Sequence, residues 1–453
     1  MRINVKYLTL KKTSVSLLLA VIFLCYWFCL PHDIFNNTYS TVVEDKKGHL
    51  LSATIADDGQ WRFPPSDSIP YKFKTAIRLF EDEYFYHHFG VNPVSIFRAL
   101  KQNFKSSKIR SGGSTITMQL IRLSRRKKRS YLEKIKEIIL ATRAEFRYSK
   151  NEIFNLYASN APYGGNVVGL EAASWRYYGR APHLLSWAET ATLAVLPNAP
   201  SLIYPGKNQN RLLEKRNRLL KTIMLKGFID QEEYDLSIIE PLPQKPHKLP
   251  QKANHFLQFA IKSGFKGKRL ISSIDEHIQD RINQIALQHY NQLSLEQIDN
   301  LAILILDAQN GKVLSYIGNS NCASNNCGGK VDIIQSKRST GSTLKPFLYG
   351  FMMEEGMVLQ EELVEDIPTK IADYSPENFD RSYDGAVKLN NALTRSLNIP
   401  AVRLLQKYGL EKFHTRLKKL GFNSINKGPN HYGLSIILGG SECTLWELSR
   451  AYY

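Results

Sequence analysis

Glu81-Asp82-Glu83-Tyr84-Phe85-Tyr86-His87-His88-Phe89-Gly90 closes a run of helical apolar spacing, and its reading decides the architecture of the first half of the chain. Just before it, Pro70 suits the first turn of a helix whose apolar positions Phe73, Ala76, Ile77 and Phe80 follow i, i+3, i+4, i+7 spacing. Glu81 therefore stands where that helix ends. A carboxylate beside Phe80 and Phe85 is partly desolvated, which raises its pKa toward the range useful for a general base. Further on, Ser111-Gly112-Gly113-Ser114-Thr115-Ile116-Thr117-Met118-Gln119 combines glycines that let a backbone approach a ligand with hydroxyls and an amide that hydrogen-bond. Arg122, Arg125, Arg126, Lys127, Lys128 and Arg129 then add positive charge. The next helix carries Leu132, Ile135, Ile139, Thr142 and Phe146 along one stripe. On it, Lys134 and Glu137 share a face turned away from Ile135 and Ile139. Taken singly, each feature has a plainer reading: a solvated helix end, a turn, a surface pair, a solvated basic face.

Their order and wording are more specific. The chain closely resembles the family 51 glycosyltransferases, the peptidoglycan polymerase module of class A penicillin-binding proteins, over about residues 69 to 230. The motif written E-D-x-x-F-x-x-H-x-G in that family matches Glu81, Asp82, Phe85, His88 and Gly90, and G-G-S-T-x-T-x-Q matches Gly112, Gly113, Ser114, Thr115, Thr117 and Gln119. Tyr148-Ser149-Lys150, Ile153, Tyr157, Asn160 and Tyr163-Gly164-Gly165-Asn166 read like later motifs, and the Tyr-Gly-Gly-Asn and Ala-Ser-Trp wording favours the 1C branch of the family. There are two departures: Glu133 stands where the Arg-Lys-x-x-Glu motif has its arginine, and Asn155 where a glutamate is common. Lys134 and Glu137 of that motif are kept.

The resemblance implies a mechanism. Glu81 takes the proton of the 4-hydroxyl of an acceptor lipid II, and that oxygen attacks the anomeric carbon of the growing chain with inversion. Polyprenyl pyrophosphate leaves. Lys134 stabilises its charge, with Glu137 orienting the site or a magnesium ion. Asp82, Phe85, His88, Gly112, Gly113, Ser114, Thr115, Thr117, Gln119 and Lys134 are the expected substrate-binding residues.

The ends and the composition fit an exported protein. The 453 residues carry 60 Lys and Arg against 41 Asp and Glu, a net charge of +19, which implies an anionic partner such as nucleic acid, phospholipid head groups or a pyrophosphate. Residues 13–30 form an uncharged, mostly apolar run that includes Leu17, Leu18, Leu19, Ile22, Phe23 and Phe28, preceded by Arg2, Lys6, Lys11 and Lys12. Its length is at the lower end of what spans a membrane, and the preceding positive charge keeps the amino terminus cytoplasmic. A cleaved signal peptide is the alternative, disfavoured by bulky Tyr26, Trp27 and Phe28 where small residues would be needed. The expected location is the inner membrane of a bacterial cell, single-pass, with the catalytic body in the periplasm. That body being outside, nucleic acid is excluded as a partner; lipid II, the glycan strand, the cytoplasmic membrane and other cell-wall synthesis proteins remain. Cys322 and Cys327 flank a polar loop and could close a small disulfide, and cysteine metal binding is not expected.

Beyond a linker marked by Pro241, Pro243, Pro246 and Pro250, the pattern changes. Leu301 to Leu306 and Val313 to Ile317 are strand-length apolar runs with Asn310-Gly311 between them, a predicted hairpin. Ser342-Thr343-Leu344-Lys345 is an S-x-x-K at a helix start, whose spacing puts the serine and an amine that can accept its proton on one face. Ser396-Leu397-Asn398 supplies an S-x-N. From about 300 to 453 the chain resembles a penicillin-binding transpeptidase domain, with Ser342, Lys345, Ser396 and Asn398 as its catalytic residues. The third signature, K-T/S-G after S-x-N, is missing; Lys262-Ser263-Gly264 precedes Ser342 and is read as coincidence. A non-functional transpeptidase is therefore expected, and β-lactam labelling of Ser342 is doubtful.

The expected fold is multidomain: a cytoplasmic tail over 1–12, a transmembrane helix over 13–30, a stalk over 31–68, a mostly α-helical, lysozyme-like glycosyltransferase domain over 69–235, a linker over 236–265, and an incomplete α+β, β-lactamase-like penicillin-binding domain over 266–453. Two other functions remain open, an exported muramidase-like glycan-cleaving enzyme and a non-catalytic scaffold for cell-wall assembly.

Overall fold

The computed structural model describes residues 17–66, 68–98, 113–127, 130–320, 328–372 and 374–453. Ser111, Gly112, Lys128, Arg129, Cys322 and Cys327 lie outside the described residues, and so does the start of the apolar run, 13–16. The chain divides into two compact units, Met1–Gln251 with Ala260–Ile271, and Lys252–Phe259 with Ser272–Tyr453.

The first unit is mainly helical. Helix α1 (Tyr71–Glu81) starts at Pro70 and buries Phe73, Ala76 and Ile77, as the spacing requires, and Asp82 leaves helical geometry at φ −161°. Helix α2 (Ile116–Arg125) starts at Thr115, whose side chain accepts from the Met118 N–H, and stops where Arg126 turns left-handed at φ 50°. Ser130 caps α3 (Tyr131–Glu145), and a reciprocal Ser149/Glu152 capping box starts α4 (Lys150–Asn160). Helices α5 (Leu170–Tyr178), α6 (Trp187–Val195), α7 (Gln209–Leu225) and α8 (Gln231–Ile239) complete the bundle around a core that includes Phe73, Phe85, Phe154, Tyr157 and Leu220. Burying one such phenylalanine contributes roughly 1.5–3 kcal/mol. Strands β1 (Val42–Glu44) and β2 (Leu50–Ala53) form an antiparallel pair that β6 (Arg269–Ile271) joins in parallel. A second small sheet runs β3 (Trp61–Arg62), β5 (Val167–Val168), β4 (Pro162–Gly164).

No helix among the described residues is long and apolar enough to cross a membrane. Residues 17–28 are helical, and the chain bends at Cys29 and Leu30. Around this bend Arg143 of α3 donates from Nε to Trp27 O at 2.9 Å, and Arg147, two residues past α3, donates from Nη1 to Pro31 O at 2.6 Å. The apolar α3 stripe is exposed. Leu132 is 72% exposed, Ile135 55% and Phe146 65%, while α3 buries Glu137, Leu140, Ala141 and Ala144. Small residues on that inner face let α3 approach α2 closely.

In the second unit, β7 (Ile303–Leu306) and β8 (Val313–Ile317) form the predicted antiparallel hairpin, with Gly311 at φ 65° in its turn. Helix α9 (Glu276–Leu293) begins at Asp275, which accepts from the His277 and Ile278 N–H groups. Helices α10 (Lys345–Glu354), α11 (Asn398–Tyr408) and α12 (Leu410–Lys419) pack around Leu348, Leu405, Phe413 and Phe422. Two further strand pairs are antiparallel, β9 (Arg338–Ser339) with β12 (Glu442–Cys443), and β10 (Leu363–Asp366) with β11 (Gly385–Lys388). Lys262-Ser263-Gly264 lies in a π-helical turn of the first unit rather than on a strand.

Candidate active site

Glu81 is the last residue of α1, and the break at Asp82 leaves its carboxyl at the helix end among α2, α4 and α7. Gln119 Nε2 donates to Glu81 Oε2 at 2.6 Å, and Tyr157 OH donates to Gln119 Oε1 at 3.4 Å, so an amide and a phenol fix one carboxylate oxygen. The other oxygen, Oε1, is buried and makes no hydrogen bond among the described residues. Burial raises the Glu81 pKa above the usual carboxylate range, against the opposing pull of the Gln119 hydrogen bond, Arg122, Asn198 and Lys215. Tyr157 is buried and its hydroxyl pKa is pushed far up, first by burial and then by the Glu81 charge, so it stays a donor.

A cavity of about 370 Å³ opens beside this carboxyl, lined by Glu81, Tyr84, Asn92, Arg98 and Ser114 among others. Lys134 enters the same neighbourhood from α3: its Nζ donates to Ser114 Oγ at 2.6 Å and lies 3.4 Å from Glu137 Oε2. Glu137 is buried at 7% exposure. The arrangement sets a desolvated base and a fixed cation around one polar hollow, which suits proton abstraction coupled to departure of an anionic group. A resident magnesium does not fit: the ion wants about six oxygen ligands, and the Glu137 carboxylate is already held by an ammonium.

The remaining expected substrate residues are engaged within the protein. Asp82 Oδ2 lies 3.0 Å from His88 Nε2 and accepts from the Ile116 N–H at 3.2 Å, so Asp82 joins the end of α1 to the start of α2. Phe85 is fully buried, edge-on to Phe154 at 4.6 Å, with Lys150 Nζ 4.3 Å above its ring. Thr115 Oγ1 donates to Gly90 O at 2.5 Å while capping α2, and Thr117 Oγ1 donates to Glu145 Oε1 at 2.6 Å. Gly113 leaves room for the chain itself, since a Cβ there would lie 2.8 Å from Ile96 Cα. Gly90, at φ 76°, would put a Cβ 2.6 Å from Ala141 O, so that turn packs flush on α3. Thr115→Ala removes both the cap and the Gly90 bond. It is expected to lower unfolding stability by about 1–2 kcal/mol, measured by denaturant titration of the helical signal.

Glu133, the acid in the arginine's place, accepts from Arg125 Nε at 3.0 Å and Nη2 at 3.3 Å, and that pairing holds its carboxyl below the usual range. Asn198 and Lys215 were not legible as site residues. Lys215 sits in an Arg- and Lys-rich stretch that reads as solvated surface, and Asn198 in a Pro-Asn turn with no motif spacing.

In the second unit the β9–β12 pair anchors the turn that carries Ser342, through the Thr340 N–H donated to Ser441 O at 3.0 Å. Ser342 is exposed, whereas Lys345 is 1% exposed. Lys345 Nζ donates to Ser396 O at 2.7 Å, Ser396 Oγ at 3.2 Å and Asn398 Oδ1 at 2.8 Å, and burial pushes its pKa down to about 8. Ser396 is left-handed at φ 54°. Asn378, which the motifs did not point to, accepts from the Asn398 N–H at 2.9 Å and seats the start of α11.

Comparisons with known proteins agree with this arrangement. A family model described as Transglycosylase matches residues 47–224, and one described as Penicillin binding protein transpeptidase domain matches 301–436. Penicillin-binding protein 1C of Escherichia coli is 34% identical over 438 residues, covering 95% of this chain and 56% of that protein. Penicillin-binding protein 1B of Haemophilus influenzae is 28% identical over 444 residues, covering 92% of this chain and 56% of its own length. The chain thus spans little more than half the length of these curated relatives. A crystal structure of penicillin-binding protein 1A from Haemophilus influenzae aligns over 92% of this chain and 68% of that one, at 18% identity and a TM-score of 0.46.

Proposed function

This chain belongs to the class A penicillin-binding proteins, on the 1C side of that family, and from that premise we propose that it polymerises lipid II into glycan strands. The observation that carries the proposal is the buried Glu81 carboxyl, one oxygen fixed and the other unpartnered, beside a cavity that also reaches Ser114 and Lys134. Glu81 removes the proton from the acceptor's 4-hydroxyl as that oxygen forms the new bond to the anomeric carbon. The bond from that carbon to the pyrophosphate breaks on the opposite face, and its electron pair leaves with the polyprenyl pyrophosphate. Lys134, held by Ser114 and Glu137, meets the developing charge. Asp82, His88, Phe85, Thr115 and Thr117 serve the site by fixing the joints between α1, α2 and α4. Release of polyprenyl pyrophosphate in step with polymer formation from labelled lipid II tests the reading; turnover without that release would contradict it.

The substrate tail and the exposed apolar surfaces suit a membrane boundary. We propose that the run over 13–30 anchors the chain in the cytoplasmic membrane and that the body faces the periplasm. The α3 stripe of Leu132, Ile135, Ile139 and Phe146, with Phe89 stacked on Phe146 at 6.4 Å, would lie against the lipid. The segment 17–28 meets α3 through Tyr26 OH, which donates to Thr142 Oγ1 at 3.2 Å, so the two apolar surfaces adjoin. The double variant Ile135→Glu, Ile139→Glu is expected to slow polymerisation of vesicle-embedded lipid II about tenfold while leaving a short-chain soluble analogue within about twofold. Equal loss on both substrates would remove the lipid-facing role.

For the second unit the reading is narrower. Lys345, held by Ser396 and Asn398, has its pKa pushed down by burial to about 8, which eases its use as a base toward Ser342. No Lys-Thr-Gly follows Asn398 within the 453 residues.

A further inference from the structure

Glu81 has a second neighbour chain besides Gln119 and Tyr157. The short turn Leu196–Asn198 follows α6 and sets the Asn198 amide against the Glu81 carboxyl. Lys215, one turn and a half into α7, donates from Nζ to Asn198 Oδ1 at 2.9 Å. That bond occupies the amide's oxygen and leaves its donor end for the carboxyl. Helices α1 and α7 are packed side by side, with Arg78 lying 5.8 Å over the Phe228 ring just past the end of α7, so Lys215 is carried by a rigid element. Partial burial lowers the Lys215 pKa, with Arg218 and Arg211 adding to the shift and the Glu81 charge opposing it. The pair therefore feels each other's charge without touching.

We propose that Lys215, acting through Asn198, is a positioning residue that holds the Glu81 carboxyl ionised and aimed, ready to accept the acceptor's proton. The inference rests on Glu81 being the base of the polymerase reading. An isolated buried carboxyl protonates readily and then has no capacity to take a proton. A cation linked to it through one amide opposes that protonation at a distance, without the direct ion pair that would lower its basicity further and block the substrate hydroxyl. Among the described residues, the other groups near Glu81 are Arg122 from α2, which acts in the same direction, Tyr157 from α4, which is neutral and donates to Gln119, and Asp82, Glu83 and Arg98, which line the cavity with it. After each transfer the proton on Glu81 passes to solvent and Lys215 restores the charged form.

The sign of the effect follows. Removing the Lys215 charge raises the Glu81 pKa, so the acidic limb of the rate profile moves to higher pH. The test measures lipid II polymerisation by the full chain between pH 5 and 9 for the parent, Lys215→Met, Lys215→Arg and Asn198→Ala, with Glu81→Gln as reference. Lys215→Met is expected to lose roughly three- to tenfold in rate on the acidic limb while the alkaline plateau and the KM for lipid II stay within about twofold. Lys215→Arg should restore the parent limb, and Asn198→Ala should shift it in the same direction as Lys215→Met. A uniform loss at every pH, or an unmoved limb in both Lys215→Met and Asn198→Ala, overturns the inference and leaves Glu81 as base untouched. If Lys215→Met does not fold, the Asn198→Ala profile alone decides. Full activity of Glu81→Gln would instead bring down the polymerase reading on which the inference stands.

Discussion

Glu81→Gln is expected to reduce glycan synthesis from lipid II by at least about a thousandfold, with the helical signal and the unfolding midpoint preserved. The substitution keeps the shape of the side chain and an oxygen for the Gln119 amide to donate to, so the local packing around α1 and α2 has no reason to change. It removes the carboxylate placed to take a proton from a hydroxyl, since the other carboxylates lining the cavity are engaged, Asp82 with His88 and Glu83 with Lys226. It also exchanges a buried charge with an unpartnered oxygen for a neutral amide. Stability should therefore hold steady or rise by about 1 kcal/mol. Retained activity would remove Glu81 from the chemistry altogether, and lost activity with lost folding would say nothing for it.

Lys134→Ala is expected to lower kcat by about a hundred- to a thousandfold with a smaller change in KM, the signature of a contact that strengthens as the pyrophosphate departs. Its ammonium is held by Ser114 Oγ at 2.6 Å and by Glu137, so it is already placed before substrate arrives. Unlike Glu81→Gln, this variant should also cost stability. Glu137 is buried at 7% exposure, and without its cation it keeps a desolvated charge that costs about 1–3 kcal/mol. Glu137→Gln in the Lys134→Ala background should recover that stability without recovering activity. Recovery of both would show the pair to be structural.

The helix that delivers Glu81 was legible in the sequence, because Phe73, Ala76 and Ile77 repeat at helical spacing and Asp82 ends the repeat. So was the β7–β8 hairpin, with its turn glycine. On α3, periodicity gave the face but not its surroundings. Leu132, Ile135, Ile139 and Phe146 do form one face, but spacing reports only that a face exists and not what covers it. The inner face of α3 is instead made of Ala141 and Ala144 with Leu140 and Glu137, residues whose smallness permits close helix contact. The contacts of Arg143 and Arg147 with the carbonyls of Trp27 and Pro31 were not legible, because hydropathy carries no sign of them.

Within the site, motif wording selected the right neighbourhood but did not separate the residues facing the cavity from those bracing it. Phe85 and Thr117 stand beside Glu81 and Ser114 in the motifs, yet their partners are Phe154 and Glu145, while Asp82 and Thr115 line the cavity and also bond His88 and Gly90. Lys215 shows the converse. Its role depends on the α1–α7 packing and one amide, and nothing in a basic helix marks one lysine among several.

The central claim is that this chain builds glycan from a lipid-linked precursor. Purified full-length chain incubated separately with lipid II and with finished peptidoglycan tests it most directly. Polymer from lipid II that depends on Glu81, with the finished wall left intact, is the expected result. Soluble fragments released from the finished wall, with lipid II unconsumed, would contradict it.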